Sequence, residues 1–319
     1  MISRIGLVVA CALAIGRPSV AGTIYVNNIT GDDRANGVHP DIKGLRDGPV
    51  RTIRRGLELV GPYDGLVIAN TDLPYTESML ITRVGLSGTR QFPFIVEGNG
   101  ATLRGAERLP ADVWRRVGPG TYRYQPYRKG HYQLVVGGAV ADEVAAGGAD
   151  APPLEPLQWA AVHGLVYFRV EPGKFIDQYE FEAPAREIGL GLHNARNVIV
   201  RNLRIELFRL DGIAVTGNSR NIRLENIRST ANGRAGLAVT GTSEVQVGRI
   251  DVAGNRVSDR LVQLKGRVHD LPDAEVPPPP ALQAWDLGSG RYVRILSPDA
   301  EERIRATAQR ESSGSSMRR

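Results

Sequence analysis

Asn197-Val198-Ile199-Val200-Arg201-Asn202-Leu203-Arg204 returns 24 residues later as Asn221-Ile222-Arg223-Leu224-Glu225-Asn226-Ile227-Arg228. After a further 23 it returns as Glu244-Val245-Gln246-Val247-Gly248-Arg249-Ile250. A second strip behaves the same way: Asp211-Gly212-Ile213-Ala214-Val215-Thr216-Gly217 becomes Ala235-Gly236-Leu237-Ala238-Val239-Thr240-Gly241. Ile188-Gly189-Leu190-Gly191-Leu192 and Leu261-Val262-Gln263-Leu264-Lys265-Gly266 are fainter copies. Such a fixed period marks a solenoid, in which each copy is stabilised by its neighbours.

Inside each copy the apolar residues alternate. Val198 and Val200 share one face, as do Ile213 and Val215, or Leu237 and Val239. Period two means strands. A helix is a poor fit, because Gly and Asn fall every few residues and no apolar stripe persists. Each copy therefore reads as two or three short strands joined at Asn or Gly corners. Stacked copies, roughly 4.7–4.9 Å apart, place equal positions in ladders: Ile213 on Leu237, Val215 on Val239, Asn202 on Asn226. Corner asparagines tolerate left-handed backbone and can hydrogen-bond along the stack.

These residues resemble the right-handed parallel β-helix superfamily, which includes pectate-lyase-like and glycoside-hydrolase proteins. The N-terminal part agrees. Thr23-Ile24-Tyr25-Val26-Asn27, Gly31-Asp32-Asp33 and Gly48-Pro49-Val50-Arg51-Thr52-Ile53-Arg54-Arg55-Gly56-Leu57 are similar to the opening of secreted members. There a short helix, here about 51–60 and ended by Gly61-Pro62, caps the first coil. Pro74 to Ile81 and Pro93 to Gly105 fit the first coils. The resemblance implies an all-β fold: a short right-handed parallel β-helix with an N-terminal capping helix and an inserted β-subdomain. It covers about 23–108 and 185–266, and says little about activity, since one fold hosts many functions.

Residues 1–21 read as an export signal: Arg4, the apolar run Ile5 to Ile15, and Ser19-Val20-Ala21 suited to cleavage. The run is too short to span a membrane and is closed by Arg17. Val8-Val9-Ala10-Cys11 loosely matches a lipoprotein cleavage box. The expected location is secreted, periplasmic or cell-surface, without stable membrane insertion. Cys11 is the single cysteine, so a chain cut after Ala21 has neither disulfide nor thiol chemistry. Removing Arg4 and Arg17 leaves 38 basic against 34 acidic residues, a mild net charge of +4 that permits an acidic polysaccharide partner. No basic stripe sits on a nucleic-acid-reading motif. A monomer is expected.

The chain divides into the signal (1–21), an N-terminal cap with the first coils (22–108), an insert (109–184), the repeats (185–270), and a tail (271–319). The insert breaks the period and is rich in aromatics, among them Trp114, Tyr122, Tyr124, Tyr127, Tyr132, Trp159 and Phe168. Trp159 followed by Gly164-Leu165-Val166-Tyr167-Phe168 resembles a pattern in inserts of some β-helix carbohydrate enzymes. In the tail, Pro277 to Pro280 is stiff, 282–285 and 292–296 suit a hairpin, and the residues from about 306 read as disordered. About six coils are countable, which is short for an enzyme of this fold.

Three groups of side chains could carry chemistry. Glu187 and Asp211 precede aligned strands, and strand spacing puts their carboxyls about 5–7 Å apart, within reach of glycosidase geometry. Asp before Gly is equally a turn signal. His193, Arg234 and Lys265 offer the base and cations that elimination beside a carboxylate needs, but do not all share one ladder. Exposed corner residues are the competing reading. The run Tyr122-Arg123-Tyr124-Gln125-Pro126-Tyr127-Arg128-Lys129-Gly130-His131-Tyr132, with Trp159, offers rings for sugar faces and arginine for carboxylates. Those rings would otherwise pack on the coil. No metal or cofactor is expected. The oxygens of Asp32, Asp33, Asn36 and Asp41 would suit calcium, yet fit no EF-hand and read as turn residues. The function expected is binding, and cleavage by hydrolysis or elimination, of polysaccharide. A non-catalytic surface or adhesion scaffold is the alternative.

Overall fold

The computed structural model describes residues 22–61, 64–82, 84–148, 150–272, 282–286 and 291–295. The export segment with Cys11, the Pro277–Pro280 run and the tail from 306 lie outside the described residues. The described residues are mostly strand, with one α-helix, Ile53–Leu59, among them.

Seven strands form one parallel sheet, in the order Thr23–Val26, Gly65–Ile68, Phe94–Arg104, Arg196–Glu206, Arg220–Thr230, Glu244–Asp251 and Arg267–Asp270. Five more form a second: Met79–Ile81, Ile188–His193, Asp211–Thr216, Ala235–Val239 and Ser258–Val262. From 188 onward the chain alternates between the sheets, and each strand pairs with its counterpart one repeat later. The expected ladders are present. Ile213 lies opposite Leu237, Val215 opposite Val239, and Leu203 opposite Ile227. The inward residues of both sheets merge into one core. Burying a Leu, Ile or Val there contributes roughly 1.5–3 kcal/mol relative to exposure.

Polar ladders mark the corners. Asn197, Asn202, Asn221 and Asn226 all have φ between 48° and 55°, a left-handed backbone that asparagine tolerates. The Asn226 Nδ2 donates to Asn202 Oδ1 at 2.7 Å, and Asn221 Nδ2 to Asn197 Oδ1 at 2.8 Å. Two further ladders, which periodicity did not point to, run inside. Ser219 Oγ accepts from the Ala195 amide and Ser243 Oγ from the Ser219 amide. Asn232 Oδ1 accepts from Phe208 N and Asn255 Oδ1 from Asn232 N. Each side chain thus satisfies a turn amide one repeat below it, so the stack seals its own buried donors.

The helix closes the N-terminal end. Thr52 caps it, accepting from the Arg55 amide at 3.1 Å, and the Glu77 carboxylate accepts from the amides of Ile53 and Arg54. Gly56 permits close packing, since a Cβ there would lie 2.8 Å from both Leu66 and Val26. The loop of Asp32 and Asp33 makes the contacts expected of turn residues. Asp33 accepts from the amides of Arg51 and Thr52 and from the Thr52 hydroxyl, and Asp32 accepts from the Arg34 amide. These are turn and capping contacts.

Between Phe94–Arg104 and Ile188–His193 the chain leaves the stack, yet Phe94–Arg104 and Arg196–Glu206 pair directly, Val198 opposite Phe94 and Ile205 opposite Leu103. The excursion builds two antiparallel sheets. One contains Ala106–Leu109, Phe181–Pro184, Val135–Val136 and Ala139–Val140; the other Trp159–Val162, Leu165–Arg169, Thr121–Tyr124 and Arg115–Gly118. A separate aromatic core fills it, with Trp114 against Tyr124 (centroids 4.7 Å) and Phe181 (4.9 Å). In the tail, Leu282–Asp286 pairs antiparallel with Arg291–Ile295.

Candidate functional site

The insert is docked onto the stack by arginines one repeat apart. Arg186, Arg209 and Arg256 stand at one phase of the repeat, with Gly233 filling the place between the last two. Arg186 pairs with Glu107 at 3.1 Å, and Arg256 holds Glu143 through two bonds of 2.7 and 2.6 Å. Arg209 reaches the Lys129 carbonyl at 3.3 Å and the Glu187 carboxylate. At Gly233 the insert backbone comes close. A Cβ there would collide with the carbonyl oxygens of Arg209 and His131, the latter at 2.7 Å. Glycine is required for this close approach.

Beside this seam lies a cleft of about 240 Å³. Its walls include Arg108, Tyr127, Arg128, His131, Tyr132, Gln133 and Arg209. Three polar atoms in these walls are buried without a hydrogen-bond partner among the described residues: Tyr132 OH, Gln133 Oε1 and Arg209 Nε. Each such atom costs about 1–3 kcal/mol, and a cluster of them at one opening calls for an explanation. Burial lowers the His131 pKa below the ordinary histidine value. The charges of Arg234, Arg256 and Arg209 act the same way, against a hydrogen bond with the Gly233 backbone. The ring is therefore neutral at neutral pH. Burial also pushes the Tyr124 hydroxyl up, so it stays protonated.

The structure distributes the sequence-derived candidates unevenly. Glu187 sits at the seam but is bridged between Arg128 (2.8 Å) and Arg209. Asp211 is fully buried, and both its oxygens accept from Arg234, Nε to Oδ1 at 2.8 Å. This pairing keeps Arg234 protonated. Neither acid is available as a hydrolytic pair. His193 lies apart from the cleft at a strand end, exposed, its Nδ1 2.9 Å from Thr216 Oγ1 and its Nε2 2.9 Å from Asn194. Lys265 is exposed on the last repeat. Tyr122, Tyr124 and Trp159 are 8%, 6% and 1% exposed and belong to the insert core. The Trp159 indole donates to the Ala141 carbonyl at 3.0 Å. Little of any of the three reaches solvent, although Tyr124 also lines the cleft. Tyr127, 98% exposed, and Arg128 remain at the cleft.

The cleft residues outside the candidate run Tyr122–Tyr132 are Arg108, Gln133 and Arg209; His131 and Tyr132 belong to that run. Arginine recurring in phase at 186, 209 and 256 was a legible signal for the seam. No local pattern singles out Arg108 or Gln133.

No family model matches the chain, and no curated protein matches it. Among solved structures, one described as "Glycoside hydrolase" is similar in fold. It shares 12% identity at a TM-score of 0.51, covering 76% of this chain and 68% of that one. A complex of XylC with xylose matches at 10% identity and a TM-score of 0.37, covering 78% of this chain and 70% of that one.

Proposed function

We propose that the protein is an exported, monomeric carbohydrate-binding protein built on a right-handed parallel β-helix, and that the cleft beside the insert receives a carboxylate-bearing segment of a polysaccharide. The coil reading is supported by the alternation between two parallel sheets at a 23–25-residue period. The fold likeness to a protein described as a glycoside hydrolase agrees with it. The observation that carries the function is a cleft whose walls bring Arg108, Arg128 and Arg209 together with His131, Tyr132 and Gln133. Sugar hydroxyls both donate and accept, so they suit such polar walls. Arg108 is exposed and has no ion-pair partner among the described residues, so its guanidinium is open to a carboxylate in a fork geometry, while Arg128 and Arg209 already hold Glu187. Tyr127 offers an exposed ring at the rim.

The groups around the cleft suit binding better than cleavage. Hydrolysis by Glu187 and Asp211 would need one acid to hold a proton and the other to be free, and arginines hold both. This favours a non-catalytic binding scaffold over a hydrolase. Elimination is the remaining catalytic reading: a neutral imidazole, His131, stands among cations able to neutralise a carboxylate. Titration calorimetry of the mature chain with uronate-rich and neutral oligosaccharides tests the binding. Ultraviolet absorbance of unsaturated chain ends, followed in the same samples, tests elimination. Uronate binding weakened about tenfold by Arg108→Ala, with an unchanged melt, is expected. Binding of neither class, or an Arg108→Ala variant that binds like the parent, would remove the proposal.

A further inference from the structure

Away from the insert, the bend of the seven-stranded sheet carries a larger trough, about 680 Å³, whose lining includes Asn202, Asn226, Arg204, Arg228 and Arg249. It shares no residue with the cleft. The pairing register sets Arg204 directly beside Arg228 on adjacent strands, an arrangement of like charges that weakens a sheet. Asp251, opposite Arg228 on the next strand, offsets one of them through an ion pair of 3.3 Å. Arg204 is exposed and has no ion-pair partner among the described residues. The corner ladder adds a third cation. After Asn202 and Asn226 the next place is Arg249, at φ 51°. Left-handed backbone costs a residue of this kind roughly 1–2 kcal/mol, and such strain gathers at functional places. Three arginines and one aspartate therefore surround a floor of asparagine amides. Successive rungs lie about 4.8 Å apart, so the two arginine side chains present their charges side by side along the stack.

We infer that this trough is a second binding site, for a linear glycan carrying carboxylates on successive residues and lying across the rungs. Arg204 and Arg228 would each take one carboxylate, and the asparagine amides would hold the sugar hydroxyls. Only the class of ligand rests on the proposed function; the charges are the trough's own.

The test uses the full mature chain and three probes: a linear oligouronate, a neutral oligosaccharide of equal length, and single-stranded DNA of equal charge. Titrated by calorimetry, Arg204→Ala with Arg228→Ala should remove one of two oligouronate sites, read as the stoichiometry, and flatten the salt dependence of the total binding. Neutral-sugar binding should not change. The melting temperature should hold or rise, because a like-charge contact is relieved. Arg204→Lys with Arg228→Lys should keep most of the affinity. Unchanged oligouronate binding in the double alanine variant would overturn the inference, as would DNA binding as tight as oligouronate. Loss of binding in Arg108→Ala with a silent trough variant removes the trough and spares the cleft. The reverse pattern removes the cleft and spares the trough.

Discussion

Replacing Arg234 by methionine should destabilise the protein by about 3 kcal/mol. Asp211 is fully buried, and Arg234 is the one side chain, among the described residues, that hydrogen-bonds its carboxylate. Removing one partner of a buried pair typically costs about 3–5 kcal/mol, because the remaining charge is stranded. The lower end applies, since the Arg234 side chain is a third exposed and solvent already screens the pair. For a chain of this size each kcal/mol moves the melting temperature by roughly 2–4 °C, so a fall of roughly 6–12 °C is expected. Asp211→Asn should cost less, about 1–2 kcal/mol, because the freed arginine can turn to water. The double variant should recover part of the loss, with a coupling above about 1 kcal/mol. Urea unfolding followed by tryptophan fluorescence, alongside thermal melts, measures all three. An Arg234→Met variant within about 0.5 kcal/mol of the parent would refute the reasoning. The same series separates a structural Asp211 from a proton donor: a donor would lose turnover on Asp211→Asn while melting normally.

Asn226→Val should cost about 2–3 kcal/mol in urea unfolding, through a lost ladder bond and a β-branched residue in left-handed backbone; Asn226→Gly, which fits that backbone, should cost about 1 kcal/mol. Trp159→Ala should cost about 3–5 kcal/mol, and limited proteolysis should then cut within 106–184 before it cuts the stack. Tyr127→Ala should leave the melt within about 0.5 kcal/mol of the parent, so any glycan affinity it loses reports contact. His131 gives a pH signature. Its folded pKa lies below the unfolded value, so the unfolded chain binds more protons as pH falls. The stability it contributes is complete above about pH 6.5 and is lost as pH drops through the folded value. His131→Gln should flatten that limb in melts taken across the range.

The stack was legible because two signals agreed at each position. Val198/Val200 and Ile213/Val215 gave the period of two, and their recurrence gave the ladder partner. The asparagine corners followed from the same spacing, since a repeat that turns at one phase needs residues that accept φ near 50°. The insert was less legible. Alternation puts Tyr122 and Tyr124 on one face but cannot say whether that face meets water or Trp114. An antiparallel unit outside the stack needs its own core, and those rings supply it. Glu187 and Asp211 lie on adjacent rungs, the Asp211 amide donating to the Glu187 carbonyl. Their neutralisation splits by sequence distance. Arg234 lies 23 residues from Asp211, one repeat on, and was within reach of the pattern. Arg128 lies 59 residues from Glu187 and arrives only by folding of the insert.

Phe94–Arg104 and Arg196–Glu206 pair as though nothing separated them, while Ala106–Leu109 and Phe181–Pro184 close the excursion against each other. Both ends of the insert thus leave the same corner side by side. The chain has in effect a docking port, where a short turn or a different cassette would leave adjacent rungs in place. Some eighty residues, roughly a small domain's worth, are exchangeable there without rewriting the scaffold that carries them.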